Sequence, residues 1–174
     1  ERDPTPPIPT PVPDMGTDAT ASVKDCHWVW YPEDNPAASA SPGLCYFRKT
    51  IHIPADRGLS KATFVGTADN SFALFINGER IESSEYTFDN WQSLVRLDIA
   101  KHLRTGPNQL AIQADNATEE PNPAGLIGRF TVEFASGAAL NVPIDSTWKA
   151  SRTEAAGWTS AQFDDSDWPN AKEF

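Results

Sequence analysis

The run Ser71-Phe72-Ala73-Leu74-Phe75-Ile76, followed by Asn77-Gly78 and then Glu79-Arg80-Ile81, constrains this chain most. An Asn-Gly pair tolerates the positive φ angles of a two-residue hairpin turn, so two antiparallel strands should meet there. From Cys45 onward other β-rich runs recur, broken by turn chemistry at intervals of about ten residues, the spacing of a sandwich or barrel. Tyr46 to Ile53 alternates on a two-residue period and stops at Pro54. Ala62 to Gly66, Ser93 to Ile99 and Gln109 to Ala114 read as further strands, and Leu126 to Phe134 pairs with Ala139 to Val142 around Ser136-Gly137. Lys101-His102-Leu103 reads as a short turn of helix ahead of Gly106-Pro107. The long helices that parallel crossovers require are missing from the pattern. The expected fold is all-β, an antiparallel two-sheet β-sandwich of the jelly-roll kind, because strands with two apolar sheets to cover can bury them only against one another.

A length of 174 residues suits one domain with a core of its own. Residues 1–22 carry Pro4, Pro6, Pro7, Pro9, Pro11 and Pro13 with almost no large apolar side chain, and read as an extended linker or tail. The sandwich is expected over residues 23–174. With a formal charge of −10 and no Lys/Arg cluster to neutralise a row of phosphates, nucleic acid is excluded as a partner. Apolar stretches such as Phe72 to Ile76 are too short to span a bilayer, so no membrane partner is expected.

Cys26 and Cys45 have neither the spacing nor the histidine partners of a zinc site. A disulfide between them is the preferred reading and would stabilise by roughly 3 kcal/mol through the loop it closes; two buried thiols are the alternative. Asn116-Ala117-Thr118 is a sequon for N-glycosylation at Asn116. Together the cysteine pair and the sequon point to a secreted, extracellular protein.

Thr67 to Gly78, then Leu97-Asp98-Ile99 with Leu103 and Gly106-Pro107-Asn108, then Ala111 to Ala114, occur in an order that resembles the galactose-binding-like jelly roll. Such domains are the non-catalytic sandwiches of alpha-L-rhamnosidases and related glycoside hydrolases. The segment from Trp158 to Trp168, with Phe163-Asp164-Asp165-Ser166, is similar to the W-x-F-D-D-S-x-W element of those domains. The resemblance implies a lectin-like, non-catalytic carbohydrate-binding module of the rhamnose-binding type. It would hold an adjacent catalytic domain to an oligo- or polysaccharide, with calcium assisting in some relatives. It carries ligand and metal roles over to Asp69 and Asn70.

Sugars present paired hydroxyls and apolar C–H faces, so their sites combine carboxylates and amides with an aromatic ring. Asp69, Asn70, Asn90 beside Asp89, and Asp115 supply the polar groups, and Trp91 is the stacking candidate. For each Asp or Asn the competing reading is a turn former. Trp28 and Trp30 suit either a core edge or an exposed platform, the core being the preferred reading, and Trp148, Trp158 and Trp168 suit packing of the C-terminal segment. His27, His52 and His102 are dispersed and no nucleophile or zinc motif occurs, so the chain itself is not expected to be an enzyme. Two other readings stay open: a structural accessory sandwich without ligand, and a small polysaccharide lyase or glycosidase using acids such as Glu79, Asp98 and Glu133.

Overall fold

A computed structural model describes residues 23–83 and 90–174. Two antiparallel sheets face each other. One has the order β11-β1-β8-β3-β6, formed by Lys172–Glu173, Val29–Trp30, Gly125–Phe134, Leu59–Asp69 and Val95–Asp98, with β9 (Leu140–Pro143) also paired to β8. The other has the order β10-β2-β7-β4-β5, formed by Lys149–Ser151, Gly43–Ile53, Gly106–Asn116, Ser71–Ile76 and Glu79–Ser83. A single short helix, α1 (Pro36–Ser39), and turns at Asn90–Gln92 and Ala100–His102 complete the described elements. The two-sheet sandwich expected from the alternation is therefore present, and three short strands, β1, β10 and β11, extend it.

The Asn77-Gly78 turn has φ angles of 53° and 84°, as a tight hairpin between β4 and β5 demands. Strand alternation sorts the side chains. On β2, Cys45, Phe47, Ile51 and Ile53 point between the sheets and join Trp30, Phe64, Phe130 and Trp148 in the main core. Leu44, Tyr46 and Arg48 occupy the opposite parity and face outward. On β3, Phe64 enters the core whereas Val65 joins a second cluster with Val23, Cys26, Trp28, Leu94 and Ile127 on the outer face of the six-stranded sheet. Gly66 pairs directly with Gly128, and a Cβ would stand 2.6 Å from the Phe64 ring at Gly66 and 2.9 Å from it at Gly128, so the ring fits only because both are glycine.

The disulfide expectation is overturned: both cysteines are free and buried. Cys45 lies in the core between the sheets, while Cys26 lies in the outer cluster with its thiol donating to the Gly128 carbonyl at 3.6 Å. The two occupy different layers, which no single S–S bond can bridge. Burial raises the pKa of both thiols and keeps them protonated.

A third cluster closes part of the outer face of the five-stranded sheet. Trp158 packs edge-on against Tyr46 and Phe75, with ring centroids 5.0 and 5.5 Å away, and Trp168 flanks it. Trp148 stacks on Phe130 in the core. The C-terminal tryptophans therefore pack as their sequence context suggested.

Candidate functional site

One end of the five-stranded sheet gathers several of the expected site residues. There β3 ends at Asp69 and β4 begins at Ser71, so the Asp69-Asn70 pair carries the chain from one sheet to the other. The Asn70 N–H donates to the Asp115 carbonyl at 2.7 Å, and Asn70 Oδ1 accepts the Ala117 N–H at 2.9 Å, so Asn70 straddles Asn116. Asp69, Asn70 and Asp115 thus come together with Asn116. Trp91 and the Asn90 turn do not join them.

Two of these placements differ from expectation. Asp69 and Asn70 are buried, at 1% and 0% exposure, where an exposed rim was expected. The reason is the sheet crossing: Asp69 is a paired residue of the β3–β8 ladder, engaged within the fold, and Asn70 spans to β7. Asn116 is also fully buried, and its Nδ2 donates to the carbonyls of Ala40 and Ser41 at 3.2 Å and of Asn122 at 3.4 Å. A glycan on that nitrogen would break all three bonds and has no route to solvent. The sequon at Asn116 is thus a structural asparagine in the folded chain.

Trp91 is half-buried against the outer cluster of the six-stranded sheet, beside Val65, Leu94 and Ile127. That apolar patch needs a cover, and the turn Asn90–Gln92 supplies it by packing on β3. Trp91 therefore sits on the face opposite Asp115 and cannot stack on a sugar held there. Asp89 and the side chain of Asn90 lie outside the described residues. Of the acids weighed for catalysis, Glu79 stands on β5 while Asp98 and Glu133 stand on strands of the other sheet, so the three do not converge.

Above the buried corner, on the outer face of the five-stranded sheet, lies a concavity of about 150 Å³ lined by Leu44, Ser71, Ala73, Arg80, Gln113 and Asp115 together with Phe72. Strand register builds it. Asp115 stands opposite Ser71 on β4 and Leu44 on β2, and Gln113 opposite Ala73 and Tyr46. Among the described residues none hydrogen-bonds or ion-pairs with the side chains of Ser71, Arg80, Gln113 or Asp115. Burial alone pushes the Asp115 carboxyl above its ordinary value of 3.8. Leu44, 36% exposed, is the one large exposed hydrophobic among the described residues. The concavity thus offers acceptors, donors and an apolar side chain, all uncommitted.

Beneath it two buried polar atoms also lack partners among the described residues, the Asn70 Nδ2 donor and the Asn116 Oδ1 acceptor. Buried polar groups are nearly always satisfied, so an orphaned donor and acceptor on neighbouring residues mark a place where a ligand, ion or water completes the structure.

No protein-family model matches the chain. It is 36% identical over 154 residues to an alpha-L-rhamnosidase of Streptomyces avermitilis, a match covering 87% of this chain and 14% of that protein. The crystal structure of that enzyme complexed with L-rhamnose superposes with a TM-score of 0.77 at 33% identity, over 84% of this chain and 14% of the other. The chain resembles a galactose-binding-like sandwich domain of alpha-L-rhamnosidases. It spans about one-seventh of the length of that relative. A Pleurotus ostreatus lectin, also solved in complex with GalNAc, matches 84% of the chain with a TM-score of 0.68, at 27% identity in its apo form, the chain spanning 40% of it. An alpha-L-rhamnosidase from Aspergillus terreus, at 20% identity and a TM-score of 0.68, shares the fold. The chain is thus a two-sheet sandwich similar to one domain of that rhamnosidase and to the lectin.

Gln113, Ser71, Arg80 and Leu44 were not singled out from sequence. A signal existed, since Gln113 and Asp115 fall on one parity of β7 and so on one face, but locating Ser71 and Arg80 beside them requires the strand order.

Proposed function

We propose that the domain is a non-catalytic carbohydrate-binding module that holds an attached carbohydrate-active enzyme to its glycan. The observation that carries this is the concavity whose polar side chains, Ser71, Arg80, Gln113 and Asp115, have no partner within the described fold. A saccharide presents adjacent hydroxyls that both donate and accept. Asp115 would accept from such a pair, Gln113 would do both, and Leu44 would meet an apolar face, including the methyl group of a 6-deoxy sugar such as rhamnose. Tethering makes a weak site useful, because one binding event raises the effective concentration of substrate for the neighbouring catalytic domain. Since the two cysteines are free and Asn116 is buried, an extracellular location rests on this reading alone.

Calcium enters the proposal at the buried corner. It takes six to eight oxygens, and amide and backbone oxygens serve as well as carboxylates. Among the described residues no group of three His, Cys, Asp or Glu side chains gathers, so the donors would be the Asp69 carboxylate, the orphaned Asn116 Oδ1 and nearby carbonyls. Asn70 Oδ1 already accepts the Ala117 N–H, which leaves its Nδ2 to donate to a ligand oxygen. A bound ion would fix the loops around Asn116.

A second reading, a structural sandwich without ligand, draws on the lack of any fully exposed aromatic ring among the described residues. A glycan array probed with the whole chain, with and without EDTA, separates the readings. Binding to rhamnose-containing glycans that weakens at least tenfold in EDTA is expected. Binding unchanged by EDTA would remove calcium from the proposal, and silence across the array would favour the structural reading.

A further inference from the structure

We propose that the glycan held at this rim is anionic, and that Arg80 reads a uronate carboxylate or a sulfate ester on the unit beside the sugar bound by Asp115. The inference rests on the concavity being the sugar site. Arg80 lines that concavity from β5, the edge strand, two strands away from Asp115 on β7. At ordinary strand spacing this is about 10 Å of sheet, so a glycan crossing from Asp115 toward the edge passes Arg80 as it leaves.

The guanidinium is exposed and has no hydrogen bond or ion pair among the described residues. A neutral sugar could use the N–H donors of Arg80 but not its charge. The planar fork of arginine matches carboxylate and sulfate oxygens in pairs, which sets it apart from the donors that Ser71 and Gln113 already provide.

Overall charge sharpens the point. With a net charge of −10 the chain repels acidic polymers at long range. At physiological salt this field is screened beyond about 8 Å, so recognition of an acidic glycan depends on a cation placed at the contact itself. Arg80 is so placed.

The test uses the whole chain and calorimetric titration with an oligosaccharide of alternating rhamnose and uronic acid, the same oligosaccharide after carboxyl reduction, and a sulfated rhamnan fragment with its desulfated form. The wild type is expected to prefer one acidic form over its neutral counterpart about five- to tenfold at low salt. Whichever pair shows the preference identifies the anion. Arg80→Gln should abolish it, the acidic forms binding no more tightly than their neutral counterparts in that variant. Equal affinity for acidic and neutral forms in both pairs, or a preference that survives Arg80→Gln, would overturn the proposal. Asp115→Ala separates the two levels. If it loses both forms while Arg80→Gln changes nothing, the anionic subsite alone fails; if it keeps full affinity, the sugar site fails and the subsite with it.

Discussion

Replacing Arg48 with Ala is expected to lower the stability of the domain by about 3 kcal/mol, because a buried guanidinium and the hydrogen-bond network it holds are lost together. Arg48 is 2% exposed on the outer face of β2, under the C-terminal segment. Its Nε donates to Asp165 Oδ2 at 2.9 Å, Nη1 to the carbonyls of Ser160 at 3.0 Å and of Trp158, and Nη2 to Gln109 Oε1 at 3.0 Å and the Phe163 carbonyl at 3.2 Å. Its guanidinium also lies 4.9 Å from the centre of the Phe163 ring. One side chain thus gathers the Trp158 to Asp165 turns and seats Trp158 on Tyr46 and Phe75. Removing it takes the donor from three carbonyls, of which that of Trp158 is buried, while the Gln109 amide oxygen keeps the Thr50 hydroxyl as a donor at 2.9 Å. Urea denaturation should show the loss, with a fall in Tm of roughly 10 °C. Asp165→Asn should cost less, because Asp165 is 27% exposed and water can replace part of what it gives. A loss under about 1 kcal/mol in Arg48→Ala would mean that the segment is held by its aromatic rings alone.

The second large effect concerns binding. Asp115→Ala should weaken glycan affinity about 10- to 100-fold, the range for losing hydrogen bonds to a charged acceptor. Stability should stay within about 0.5 kcal/mol of wild type, because the carboxyl is half-buried and has no partner among the described residues. Acid should mimic the substitution. The carboxylate is the form that accepts sugar hydroxyls, so affinity is full well above the raised pKa and falls as pH drops through it. That fall begins at a higher pH than for an ordinary aspartate with its value of 3.8. For stability the sign is opposite. Between the unfolded and folded pKa values the folded chain holds a proton the unfolded chain has lost, so stability declines as pH rises through that window. Asp115→Asn should bind with a flat pH profile; a profile unchanged in that variant would show that another group titrates.

Much of the fold is legible in the sequence because its signals are local. Period-two alternation in Tyr46 to Ile53 and the Asn77-Gly78 turn act over a few residues, and both elements stand where expected. The strands β1, β10 and β11 span only two or three residues each, too short for any period to declare itself. The site is less legible because it is assembled by register and layering. Asp69 and Asn70 look like loop residues in sequence, yet the sheet crossing buries them. Trp91, flanked by polar neighbours, looks exposed until the apolar patch of Val65 and Ile127 claims it. Cys26 and Cys45 are near in sequence but fall in separate layers. In each case the deciding quantity is a long-range pairing that no short window of residues contains.

The location of the sugar site is tested most directly by mapping amide shifts in a ¹⁵N-labelled sample titrated with a rhamnose-containing oligosaccharide. Perturbations should cluster at Ala40 to Leu44, Asn70 to Ala73, Arg80 and Gln113 to Ala117, and should leave the face around Val65, Trp91 and Ile127 untouched. Shifts centred on that opposite face, with Asp115 and its neighbours unmoved at saturation, would contradict a sugar site on the five-stranded sheet.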